Sequence, residues 1–164
     1  MRIRRVALAA VVWCVTSAFA AAQAPDPQVM APIKKFVDTF NKGDMAAAAS
    51  THAAEPDLSI LDEVAPYAWH GAKAFQAWST DLDADAKKRG ITEPAVALSA
   101  PTRIESDGTQ AYVVVPAVYS FKEKGVAMRE SAQMTFVLKK GAGGWLIHGW
   151  TWTGPKPQKA APKK

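Results

Sequence analysis

The hydrophobic positions of this chain change period twice. Over VMAPIKKFVDTFNKGD, Met30, Ile33, Phe36, Val37 and Phe40 recur at helical spacing, and Gly43 ends the run. Asp44 stands where an N-cap belongs, ahead of the alanine-rich MAAAASTHAA, a second helix that Pro56 closes. DLSILD and PYAWHG are short strand-like pieces on either side of the turn EVAP. GAKAFQAWSTDLDADAKKRG restores a helical stripe through Ala74, Phe75, Trp78 and Leu82. It ends in Lys87, Lys88, Arg89 and Gly90, cations suited to the negative end of a helix before a glycine stop. Beyond Gly90 four strand patterns follow: PAVALSAPTRIES, QAYVVVPAVYSFKE, VAMRESAQMTFVLKK and GWLIHGWTW. The turns between them are SDGT, EKGV and KGAGG. The predicted order is ααββα-ββββ, an α+β fold with a curved antiparallel or mixed sheet wrapped around three helices.

Strand side chains alternate, so hairpin register sorts the residues into faces. A tight Lys124-Gly125 turn sets Tyr119 opposite Glu130, Ala117 opposite Ala132, Val115 opposite Met134 and Val113 opposite Phe136. A turn around Gly141–Gly143 then places Met134 beside Trp150, Phe136 beside His148 and Ala132 beside Trp152. One face carries Val113, Val115, Tyr119, Glu130, Met134, Phe136, His148, Trp150 and Trp152, and is assigned to the concave, helix-covered side. The other carries Arg129, Gln133, Thr135, Lys139, Trp145 and Ile147. An error of one residue in either turn inverts the assignment.

Composition changes this picture only at the two ends. MRIRR, an apolar run of about fifteen residues and A-x-A spacing around residues 18–22 predict a secretory signal peptide over 1–22. The run falls short of the roughly 20 apolar residues of a membrane span. The bulky Trp13 before Cys14 argues against a lipid anchor, so no stable membrane anchor is expected. The expectation is an exported protein, periplasmic or secreted, whose mature chain begins at Ala21 or Gln23. It has a linker at 23–28, one folded domain at 29–154 and a disordered Lys/Pro tail at 155–164. Cleavage removes Cys14, the one cysteine, and with it disulfide and thiolate chemistry. It also removes Arg2, Arg4 and Arg5, leaving 17 of the 20 basic residues against 15 acidic ones. Four of the remaining lysines lie in the tail, so the folded body is slightly acidic and is not a nucleic-acid binder by charge.

Polar residues on the concave face carry the candidate chemistry, because a buried polar group needs a partner. Glu130, among Met128, Ala132 and Met134, reads as a carboxylate of raised pKa fit to move a proton, or as a rim acid paired with Arg129 or Lys122. His148 reads as a hydrogen-bonded core histidine or a ligand contact. Asp62 and the pair Trp69-His70 fall near the expected mouth of the cavity. No metalloprotease, nucleophile-elbow, phosphate-loop or dinucleotide motif occurs. His52, His70 and His148 lie in different elements with no zinc-triad spacing, so neither metal nor cofactor is expected.

The order of elements, the phrase FVDTFNKGD, the WHGAKAF opening of the third helix and the closing KKGAGGWLIHGW resemble the nuclear transport factor 2-like superfamily. More narrowly they resemble its SnoaL-like members, here of an exported bacterial type, over roughly residues 29–153. The resemblance implies a cone-like barrel whose open end holds a mostly apolar pocket, and frequently a homodimer. Ketosteroid isomerase shares this cone and keeps its base in the stretch after the second helix, which carries over by location to Asp57 or Asp62. The isomerase's tyrosine on helix one has no counterpart in FVDTF.

Three function classes follow. One is a binder of a small apolar or aromatic molecule, using Tyr119, Trp69, His70, His148, Trp150, Trp152 and Met134. Another is a proton-transfer enzyme (isomerase, dehydratase or cyclase) using Asp62 or Glu130. The third is a homodimeric assembly module joined through a convex sheet face of Trp145, Ile147, Val137 and Thr135.

Overall fold

The computed structural model describes residues 27–161. The expected signal segment, Cys14 and most of the linker lie outside the described residues, as do residues 162–164. A 3-10 turn, Pro27–Val29, leads into α1, Met30–Asn41. Pro32, Ile33, Phe36 and Val37 are its buried stripe, and Pro32 sits in the first turn, where a missing N–H costs no helical bond. The Asp44 carboxylate accepts the Ala47 N–H at 2.9 Å and caps α2, Met45–Ala49. α2 is half the length its alanines predict. The hydroxyls of Ser50 and Thr51 turn back to the carbonyls of Ala47 and Ala48, each at 2.7 Å, a local alternative to helix continuation. The chain then unwinds far enough for His52 to bridge Ile147.

Two short strands follow, β1 (Ser59–Leu61) and β2 (Ala68–His70), and then α3, Ala74–Arg89. α3 buries Ala74, Phe75 and Trp78 and packs Leu82 partly against the core. It ends on Gly90 at φ +71°, a left-handed cap that glycine adopts without a Cβ clash.

Past Gly90 come β3 (Ile91–Leu98), β4 (Arg103–Ser106), β5 (Gln110–Glu123), β6 (Val126–Gly141), β7 (Gly144–Thr153) and β8 (Gln158–Lys159). The segment expected as one strand, PAVALSAPTRIES, is two, because Pro101 lacks a ladder donor; both halves pair with β5. Within the expected disordered tail, Gln158 and Lys159 pair with Arg129 and Met128, extending the β6 edge where β7 has ended. The sheet runs β2-β1-β7-β6-β5-β3. β1 lies parallel to β7 and the other neighbours are antiparallel, so the sheet is mixed, and it stays open rather than closing into a barrel.

The β5–β6 register is as predicted, from Val113↔Phe136 to Tyr119↔Glu130. Its turn needs two positive φ values, which Lys124 (+50°) and Gly125 (+81°) supply. The β6–β7 register differs. Leu138 pairs with Ile147 but Val137 pairs with Gly149, leaving His148 as the extra residue of a bulge. The turn that pairs Gly141 with Gly144 moves the register one residue from expectation and the bulge moves it one more, so Phe136 faces Trp150 rather than His148, and Met134 faces Trp152. Ahead of the bulge the alternation inverts. Trp145 and Ile147, expected outward, are buried in the core with Leu138.

Candidate functional site

Between α1, α3 and the inner face of the sheet lies a half-open cleft with a cavity volume of about 60 Å³. Phe36, Val37 and Phe40 come from α1, while Trp78, Leu82, Asp85 and Arg89 come from successive turns of α3. The sheet contributes Tyr119, Met134, Trp150 and Trp152, and the β1–β2 loop contributes Asp62, Glu63 and Val64. Aromatic rings make most of the wall. Trp78 and Trp150 meet edge to face with centroids 5.0 Å apart, Phe36 lies 5.7 Å from Trp150, and Tyr119 meets Trp152 at 6.2 Å.

The indole N–H groups at this wall are all used inside the protein. Trp78 donates to Asp62 Oδ2 at 2.6 Å, Trp152 to Glu130 Oε1 at 2.6 Å, and Trp150 to His52 Nε2 at 3.1 Å. A buried indole with its donor satisfied is fixed in orientation and offers only its faces and edges to a ligand. His52 is held neutral, since burial pushes its imidazole down to about 4. Its Nδ1 faces the Ala48 carbonyl at 3.1 Å, so the Nε2 lone pair is left to accept from Trp150.

Three acids sit at one end of this apolar wall. Asp62 is pushed above the ordinary carboxylate range by burial, against hydrogen bonds from Trp78 and the Glu63 N–H that favour its charge. Glu63 keeps part of its side chain in solvent, yet its carboxyl is pushed up to about 7. Partial burial is the largest cause, followed by the charge of Glu130 and a hydrogen bond shared with it. Glu130 is only 1% exposed, and its Oε2 has no hydrogen-bond donor among the described residues. A hydrogen bond between two carboxyls requires a proton, and Glu63, raised toward neutrality, is the group that carries it. Burial raises the Tyr119 hydroxyl to about 12, keeping it a neutral phenol. Arg89 closes the mouth, held to Glu123 by Nε and Nη2 at 3.2 Å each and to Asp85 at 3.3 Å.

Of the residues singled out from sequence, Asp62, Tyr119, Met134, Trp150 and Trp152 line this cleft, and Glu130 stands directly behind it on Trp152. Trp69, His70 and His148 do not. Trp69 is buried in the core with its N–H on Asp81 at 2.8 Å. His70 pairs across β1 with Ser59, 3.0 Å from its hydroxyl, on the face turned away from Ile60 and Trp69. The bulge carries His148 away from the cleft to Glu55 and Asp57. Asp57, the alternative to Asp62, is tied to Lys139 instead. Sequence reasoning missed Glu63, Arg89 and His52. The adjacent acids of LDEVAP were a visible signal for Glu63; the other two become site residues only through tertiary packing.

Residues 29–150 match the SnoaL-like domain family. No curated protein matches the chain by sequence. Among solved structures, a ketosteroid isomerase-like protein from Erwinia carotovora atroseptica SCRI1043 superposes with a TM-score of 0.60 at 19% identity, covering 79% of this chain and 95% of that one. A nuclear transport factor 2-like superfamily protein from Salmonella enterica subsp. enterica serovar Typhimurium str. LT2 gives 0.64 at 15%, covering 78% and 89%. A hexachlorocyclohexane dehydrochlorinase of type 2 gives 0.63 at 13%, covering 80% and 88%. At these identities the likeness is one of fold. The family match spans most of the chain and agrees with that fold, and the protein belongs to the SnoaL-like domain family.

Proposed function

We propose that the cleft binds one small, largely apolar organic molecule against Tyr119 and Trp152, over a floor formed by the buried rings of Trp78 and Trp150. The observation that carries this reading is the internal use of all three indole N–H groups. The wall is rigid and apolar before any ligand arrives, so little ordering is needed on binding. Titration with the neutral probe N-phenyl-1-naphthylamine tests it. One saturable equivalent per chain with quenching of tryptophan emission is expected; linear, unsaturable uptake sinks the proposal.

A second reading, proton transfer on the bound molecule, is favoured by the Glu63–Glu130 pair, since a carboxyl near neutrality both gives and takes protons at working pH. An isomerase-like protein and a dehydrochlorinase stand among the structural neighbours. On this reading Glu63→Gln keeps probe binding but abolishes deuterium exchange from solvent into 2-tetralone. Exchange that is undetectable in the unsubstituted protein leaves binding alone as the function.

The mature protein on this proposal is exported, and a C2 homodimer forms through the outer sheet face. That face is smaller than sequence suggested, since Trp145 and Ile147 are buried. It retains Leu61, Tyr112 and Val137, which are 45%, 41% and 42% exposed.

A further inference from the structure

The bulge in β7 does more than reset register. It takes His148 out of the strand's alternation and buries it, 7% exposed, with Nδ1 lacking a hydrogen-bond partner among the described residues. That nitrogen faces Asp57 Oδ1 at 3.5 Å and Glu55 Oε2 at 3.7 Å. All three atoms lie within 4.8 Å of one another. These separations are too long for hydrogen bonds. They are close to the spacing of about 3.4 Å between ligands of one tetrahedral cation with metal–ligand bonds of about 2.1 Å.

We propose that His148, Glu55 and Asp57 form a site for one divalent first-row transition-metal cation, outside the cleft. A neutral imidazole nitrogen with two carboxylate oxygens suits zinc or manganese, whereas magnesium and calcium prefer all-oxygen sets. Both acids are half in solvent, which leaves water to complete the coordination. Lys139 contacts the other oxygen of Asp57, Oδ2. It therefore fixes that carboxylate with Oδ1 toward His148, as outer partners of metal ligands do. Its own charge opposes a cation and sets an upper limit on affinity.

The site lies between two backbone pairings of the same segments, His52 with Ile147 before it and Ser59 with Gly149 after it. Glu55 and Asp57 lie on the segment between α2 and β1, and His148 is on β7. Four residues beyond Asp57 in the chain, β1 ends and Asp62 and Glu63 begin the cleft's acidic end. The cation is thus a clamp that seats the segment feeding β1, a structural role distinct from ligand binding in the cleft.

The test is calorimetric titration of Zn²⁺ into chelator-treated, tag-free full chain, with Mg²⁺ and Ca²⁺ as controls and Co²⁺ absorption as a reporter of coordination. Expected are one Zn²⁺ per chain, no response to Mg²⁺ at equal concentration, and visible d–d bands with Co²⁺. Glu55→Gln and His148→Gln each weaken zinc by more than about tenfold. Glu55 is exposed, so its variant folds even if His148→Gln does not, and probe binding in the cleft stays intact in it. Absence of zinc binding overturns the site, as does zinc binding that Glu55→Gln leaves unchanged. An imidazolium at His148 on both carboxylates, seen by NMR at neutral pH and undisturbed by zinc, overturns it equally.

Discussion

Glu63 concentrates the electrostatics of the cleft. Held up at about 7 from 4.5, its folded-state carboxyl binds a proton more tightly than the unfolded chain does. Its stabilising contribution is therefore full below about pH 4.5 and is lost as pH rises toward 7. His52 works in the opposite sense. Lowered to about 4 from 6.5, it contributes fully above 6.5 and loses that contribution as pH falls. The two slopes oppose each other between about 4.5 and 6.5. Glu63→Gln is expected to rise in stability with pH more steeply than the unsubstituted protein across that window, read by urea unfolding at several pH values. Parallel profiles would show that Glu63 titrates normally. In Glu130→Gln, the carbon-13 NMR midpoint of Glu63 is expected to fall only part of the way to 4.5, since burial is the larger cause. An unmoved midpoint would separate the two carboxyls. Trp150→Ala is expected to cost roughly 3–5 kcal/mol, because that ring is core and cleft wall together. A loss under about 1 kcal/mol would mean that the cleft collapses onto the gap.

At the scale of elements, the outcome turns on the β6–β7 turn and one bulge. Hairpin β5–β6 was readable because EKGV demands a two-residue turn, and pairing propagates from there without interruption to Val113↔Phe136. In hairpin β6–β7 the expected pairing of Phe136 with His148 put Leu138 against Leu146, one residue away from the observed Leu138↔Ile147, and nothing in GWLIHGWTW marks His148 as the extra residue beyond it. The turn register put Trp145 and Ile147 on the inner face, and the inserted residue left His148 out of the cleft while bringing Trp150 and Trp152 back inside. The acids were legible as types but not as partners, because Glu63 and Glu130 come from distant segments. The glycine after the bulge has a physical reason of its own. A Cβ at Gly149 stands 3.0 Å from the Ser59 carbonyl, where β1 lies parallel to β7. Gly149→Ala is expected to destabilise by about 1–3 kcal/mol and to loosen β1, seen as faster amide exchange at Ser59–Leu61. Unchanged exchange there would mean that the strand pair has room to spare.

For the whole molecule, an open sheet with helices on one face leaves its other face to solvent or to a second copy. Leu61, Tyr112 and Val137 are exposed large apolar side chains on that face. Light scattering is expected to give a dimer at tens of micromolar that Val137→Glu converts to monomer. A monomer before substitution would leave the face as solvent surface. On the proposal of export, N-terminal sequencing of protein recovered from its native source is expected to start at Ala21 or Gln23, and an intact Met1 would refute it.

The account rests on occupancy of the cleft, which native mass spectrometry reads directly. Leu82 lines the cleft from α3, so Leu82→Trp fills it while leaving Glu63, Glu130 and the metal-site residues in place. Incubated with N-phenyl-1-naphthylamine, the unsubstituted chain is expected to carry one probe mass and Leu82→Trp none. Equal probe retention by both, or by neither, would contradict the assignment of this cleft as the binding site.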